Sequence, residues 1–218
     1  MSLDLNAHLG CMTRVVRDIE WEGMPAKAIV ASRTFDTHIE DLWDAVTNPE
    51  RLPRWLSTVS GDLRVGGNYQ IEGNASGTIT ACEPPTKLAL TWEFAGQVSW
   101  VTARLVPEAD KARLELEHVA HVDLANPDDH WNQFGPGAGG VGWELGFLGL
   151  ARHLADPEAA LSQEESMQWM VSAEAKEFYR TTSEAWARAA IVAGEAARDA
   201  MAAAERNRAF YSGEDLTR

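Results

Sequence analysis

The sequence predicts an α+β fold: an antiparallel sheet covered on one face by a long helix, with a helical tail appended. Three observations lead there. Between residues 12 and 122, short strand-like runs are divided by turn residues, the pattern of an antiparallel meander. Two of those runs alternate apolar and polar positions, so one sheet face is apolar and needs a cover. Beyond residue 135 strand signals stop, and an apolar helical stretch is followed by a segment rich in Ala, Glu and Arg.

Residues 12–20 (MTRVVRDIE) and 26–35 (AKAIVASRTF) read as strands, with the turn WEGMP between them. Thr37 and Glu40 then form a capping box, followed at helical spacing by Ile39, Leu42, Trp43 and Val46. Asn48 caps a second short helix that has Pro49 at its first position and Pro53 to keep it brief. GDLRV and NYQIE flank Gly66-Gly67, a two-residue hairpin signal. Four further strands follow: GTITACE, KLALTWEF, VSWVTARLV and RLELEHVAHV. Leu88, Leu90, Trp92 and Phe94 share one face of their strand. Leu114, Leu116 and His118 share a face of theirs, with Arg113, Glu115 and Glu117 opposite. The alternation leaves Trp100 unoriented.

VDLANPDDHWNQF is a polar loop, and GPGAGGVGWELGFLGLARHLA (135–155) follows it. Gly135, Gly137 and Gly140 satisfy G-x-G-x-x-G, but a loop precedes them and only helix follows. The strand-turn-helix context of a dinucleotide site is missing, and the match reads as chance. Glu144 and Arg152 interrupt the run, which is also too short to span a bilayer. Wound as a helix, 141–155 places Trp143, Phe147, Leu150 and Leu154 in one stripe and Val141, Leu145 and Leu148 on the far side. A helix apolar on two sides must be buried on both. The sheet takes one side and the tail the other, with a homodimer through that surface as the alternative. Gly142, Gly146 and Gly149 fall together, where a neighbouring backbone approaches closely. The tail reads as helices over 163–171, 173–193 and 196–210, with Ser162 and Glu165 as a capping box and Gly194 as a break. The expected organisation is a sheet-and-helix domain, 1–155, and a helical extension, 156–218.

The formal net charge is −14, and no Lys/Arg cluster is present, which sets nucleic acid aside. Cys11 and Cys82 stand far apart and in no C-x-x-C, consistent with free thiols in a reducing cytosol. MSLDLNAHLG lacks the basic and apolar regions of a secretory signal, so the expected location is cytoplasmic. No hydrolase, zincin or Walker pattern occurs. His118 and His121 are three apart on a strand and point to opposite faces, and the Asp123, Asp128, Asp129 and His130 group has no ligand spacing. No metal and no cofactor are expected. Glu144 and His118 are the candidate acid–base groups. Each also has a plain structural role, as first-turn helix charge and as a hydrogen-bonded core histidine.

The string FDTHIEDLWDAVTNPERLPRWL resembles the signature of the bacterial branch related to activators of the heat-shock protein 90 ATPase, often called polyketide-cyclase-like. Trp43 supplies the aromatic of its first helix, Thr47-Asn48-Pro49-Glu50 opens the second, and Arg54-Trp55 closes it. GDLRVGGNY, GTITACEPPTKLALTWEF, RLELEH ending at His118, and Gly142-Trp143 continue the resemblance, which covers residues 26–155. It implies the START-like helix-grip fold, a curved sheet gripping the long helix, often with a cavity between them. The expected ligand is thus a small hydrophobic or amphipathic molecule walled by Trp55, Trp92, Trp143, Phe147 and Leu150, with His118 as polar anchor. The alternatives are an aromatase/cyclase-type enzyme on polyketide-like substrates using His118 or Glu144, and a chaperone-linked or homodimeric interaction module.

Overall fold

The computed structural model describes residues 5–126, 128–158 and 163–214. Helix α1 (Leu5–Gly10) precedes strands β1 (Thr13–Trp21) and β2 (Met24–Phe35). Glu22 and Gly23 between the strands both have positive φ, 51° and 78°, the two-residue turn whose twist suits a hairpin. Helix α2 (Ile39–Thr47) and a 3-10 turn (Leu52–Arg54) lead into β3 (Val59–Gly61), β4 (Asn68–Ile71), β5 (Ser76–Glu83), β6 (Lys87–Phe94), β7 (Gln97–Glu108) and β8 (Lys111–His121). The eight strands form one antiparallel sheet in the order β1-β2-β8-β7-β6-β5-β4-β3. Helices α3 (His130–Phe134), α4 (Gly137–Ala155), α5 (Gln163–Met170), α6 (Ala173–Val192) and α7 (Ala197–Tyr211) complete the chain.

Alternation decides which face meets α4. Ile29 and Ala31 of β2, Val101 and Leu105 of β7, and Leu114 and Leu116 of β8 point inward, and Phe147, Leu150 and Ala151 of α4 lie on them in one buried cluster. Trp143 and Leu154 pack against its edge. The far side of α4 is equally dry. Val141 and Leu148 meet Ala175, Phe178 and Tyr179 of α6, and Trp186 of α6 joins the main core with no exposed surface. Aromatics this size contribute about 1.5–3 kcal/mol each on full burial, so the extension is part of the core. The face considered for a homodimer is therefore occupied by the chain's own α6.

Several local expectations give way to longer-range contacts. The cap of α2 is His38, with no side-chain cap bond, and Thr37 donates instead to the Asp41 carboxylate at 2.7 Å. Gly66 and Gly67 do not form a two-residue hairpin. β3 ends at Gly61, and the loop 62–67 docks on β5 through Gly66 N to Ile79 O and Ile79 N to Gly67 O, 2.8 and 3.0 Å. The loop before the glycines contains α3, and α4 begins four residues earlier than its apolar stripe, at Gly137. Gly137 and Gly140 explain that start. A Cβ on Gly140 would come within 2.5 Å of the Trp186 indole nitrogen, and one on Gly137 within 2.9 Å of Asn207 Cγ. These glycines seat two tail side chains and cradle no phosphate. Gly149 behaves as expected, with a Cβ there 2.5 Å from the Trp55 carbonyl oxygen, whereas Gly142 faces the Tyr211 hydroxyl. Phe94 keeps the strand parity of Leu90 and Trp92 but lies 55% exposed at the hairpin end. Ser162, the expected cap of α5, lies outside the described residues.

Candidate functional site

The inner sheet face is filled beneath the middle of α4, whereas along β6 and at the 3-10 turn its side chains keep part of their surface. Phe147 is 3% exposed and stacks on Phe35 with ring centroids 6.1 Å apart, and Leu150 is 1% exposed. Both belong to the packed core and form the floor of any groove. Trp55, Trp92, His118 and Trp143 are each only partly buried, as are Leu88 and Leu90. The six expected residues thus divide into four with accessible surface and two beneath them.

His118, Trp92 and Trp143 come together. The Trp92 and Trp143 rings meet edge to face at 4.9 Å, and His118 lies 5.7 Å from Trp143 and 6.1 Å from Trp92. The Trp143 indole N–H donates to His118 Nδ1 at 3.0 Å. That nitrogen must then be the bare acceptor, so Nε2 carries the hydrogen and donates to Ser99 Oγ at 2.8 Å. Ser99 in turn donates to the Trp92 carbonyl at 3.1 Å. Every partner in this chain is satisfied. Burial pushes the His118 imidazole down to about 4, so it is neutral at pH 7. Trp55 is held separately: its indole donates to the Ala45 carbonyl at 2.9 Å, and its ring faces Gly146, where a Cβ would lie 3.9 Å away.

Glu144 is not in this group. It is fully buried and paired with Arg14 of β1 through both oxygens, each at 2.6 Å. Burial pushes its carboxyl above the ordinary range, and the Arg14 guanidinium pulls part of that back. Both acid–base candidates are therefore bound up in closed hydrogen bonding. Among the described residues no group of three or more His, Cys, Asp or Glu side chains could hold a metal, and no helix is long and apolar enough to cross a membrane. Cys11 and Cys82 are exposed and unpaired.

Sequence reasoning missed Ser99 and could not place Trp100. One signal bears on both: Val101, Ala103 and Leu105 of the same strand face the core, which sends Ser99 inward and Trp100 outward. Trp100 packs on the outer face with Trp21 at 5.6 Å and His121 at 4.8 Å. The Arg14–Glu144 pair, 130 residues apart in the chain, carried no local signal.

Residues 36–154 match the sequence model of the family described as Activator of Hsp90 ATPase homolog 1-like protein. No curated protein matches the chain. The crystal structure of CalU16 from Micromonospora echinospora is 30% identical, with a TM-score of 0.65 over 82% of this chain and 97% of that one. Its solution structure gives the same identity and TM-score over 84% and 97%. DynU16, a protein of the dynemicin biosynthetic locus, is 19% identical with a TM-score of 0.52 over 62% of this chain and 49% of that one, a likeness of fold. The eight-stranded sheet closed over α4 is the helix-grip arrangement these structures share.

Proposed function

The chain belongs to the family of Activator of Hsp90 ATPase homolog 1-like proteins, and from that premise we propose that it binds a small hydrophobic or amphipathic molecule between the sheet and α4. The binding unit is the domain 1–155, and residues 156–218 are its extension. The observation that carries this reading is the grouping of Trp92, Trp143 and His118, with Trp55 apart from them beside Gly146 of the same helix, as partly accessible side chains on a packed apolar floor. A folded chain leaves several large aromatics half-covered on a concave face where another apolar body completes their burial. His118 adds polarity without charge, since its nitrogens are engaged by Trp143 and Ser99. Proton transfer is the weaker reading, because neither His118 nor Glu144 presents a free acid or base to the groove.

The test is native mass spectrometry of the purified chain for co-purified molecules, with thermal shift against a panel of fatty acids and flat aromatic metabolites. A ligand at one hundred times its Kd stabilises by about 2.7 kcal/mol, roughly 5–11 °C for a chain of this size. Trp143→Ala is expected to remove that shift. A panel with no shift and a preparation free of small molecules would contradict the proposal.

A further inference from the structure

We propose that α3 is a hinged flap beside this groove and that the C-terminal extension holds it closed; what the flap admits rests on the ligand-binding reading above. α3 is one short turn of helix between Asp129, whose carboxylate caps the Trp131 N–H at 2.8 Å, and Gly135. Gly135 has φ of 55°, a left-handed joint that glycine adopts without strain. A helix of this length has no stability of its own, and its last carbonyls lack intrahelical partners.

The extension supplies those partners. Arg206 donates to the Gln133 carbonyl, and Asn207 Nδ2 donates to the Phe134 carbonyl at 2.7 Å. Asn207 is 2% exposed. One turn on, the Tyr211 hydroxyl donates to the Ala138 carbonyl at 2.8 Å. At the other end of α3 the Trp131 indole donates to Glu195 at 3.2 Å, and the same carboxylate oxygen takes Lys27 Nζ at 2.7 Å. Lys27 also pairs with Asp18 and lies 5.2 Å from the Trp131 ring. The flap is thus fastened at both ends by side chains from beyond residue 190.

What lies under the flap links it to the site. Lys27 is the inward-facing position next to Ile29 on β2, and Ile29 pairs in register with His118. Gly139, just past the hinge, faces both: a Cβ there would lie 3.3 Å from Ile29 Cδ1 and 3.6 Å from His118 Nδ1. Trp131 of α3 packs on the core cluster that contains Ile29 and lies over Lys27, so lifting α3 about Gly135 uncovers the Lys27–Ile29 stretch of β2, beside the strand that carries His118. Releasing the tail is the event that opens this end of the groove.

The experiment uses the full chain and Asn207→Ala, with Arg208→Ala as control, since Arg208 pairs with Glu205 and Glu214 and not with α3. Hydrogen exchange is followed at the amides of residues 131–135 and at the Trp143 indole N–H. Both are expected to exchange about tenfold faster in Asn207→Ala, with β2 and β8 amides and the Arg208→Ala chain unchanged. Amides 131–135 that quicken while the Trp143 indole does not would overturn the proposal, as would no change at either. Should Asn207→Ala fail to fold, Glu195→Gln loosens the Trp131 end with little change of shape and is read the same way. The neutral probe N-phenyl-1-naphthylamine is expected to associate several-fold faster with the variant, its Kd changing less. A wild-type chain that takes up no probe counts against ligand binding alone, and the flap then stands or falls by the exchange of the indole.

Discussion

Trp143→Phe removes one hydrogen-bond donor and keeps an aromatic ring in its place. His118 Nδ1, which accepts from that indole at 3.0 Å, is left as a buried acceptor without a partner, at a cost of about 1–3 kcal/mol. The smaller ring also weakens the edge-to-face contact with Trp92, worth up to about 1 kcal/mol. The expected loss is thus about 1–4 kcal/mol, or roughly 2–16 °C in Tm for a chain of this length. A second signature follows from protonation. The folded-state value of His118, about 4, lies below the ordinary 6.5, so the unfolded chain binds more protons between the two. Wild-type stability therefore falls as pH drops from about 6.5 to 4, by up to about 3 kcal/mol from this group. In Trp143→Phe the freed nitrogen can take a proton, the His118 value rises, and the acid slope flattens. Urea or thermal unfolding at pH 7.5, 6, 5 and 4.5 measures both. A variant with wild-type Tm and wild-type slope would refute the hydrogen-bonded chain on which the site is built.

Two helix glycines should respond with opposite sign. Gly140→Ala drives a methyl into the Trp186 indole and should destabilise by about 1–3 kcal/mol, whereas Gly146→Ala meets only the Trp55 ring edge at 3.9 Å and should stabilise by up to about 1 kcal/mol; urea midpoints decide. Glu144→Leu strands the Arg14 guanidinium and should cost about 3–5 kcal/mol, much of it recovered by adding Arg14→Met; similar losses for the single and double variants would contradict the pairing. His8 is buried against Arg33, and burial with the charges of Arg33 and Arg14 pushes it down to about 3. Stability should therefore keep falling below pH 4, and His8→Phe should flatten that lower limb in acid-titrated circular dichroism.

The strands were legible because alternation is a local property. The runs around Leu114–His118 and Leu88–Trp92 fixed which side of the sheet is apolar, and the stripe Trp143, Phe147, Leu150, Leu154 fixed what covers it. The two-sided apolarity of α4 likewise required α6. Where the sequence misled, the deciding contact came from far along the chain. Residues 135–140, four glycines among six, precede the apolar stripe that marks the helix, and the helix starts early because Trp186 and Asn207 fill the spaces beside Gly140 and Gly137. The loop 62–67 is shaped by backbone bonds to Ile79 of another strand. Within the site, Trp92, His118 and Trp143 could be gathered from their faces. Their hydrogen bonding could not, because it depends on Ser99, a small residue with no pattern of its own beyond strand parity.

The most direct test of the groove follows the indole N–H resonances of the tryptophans by NMR as N-phenyl-1-naphthylamine or a screening hit is added, with assignments from single Trp→Phe variants. The account predicts that Trp55, Trp92 and Trp143 shift together while Trp21 and Trp100, on the outer face, stay fixed. Shifts confined to Trp21 and Trp100, or a ligand that binds while the three inner indoles remain still, would contradict it.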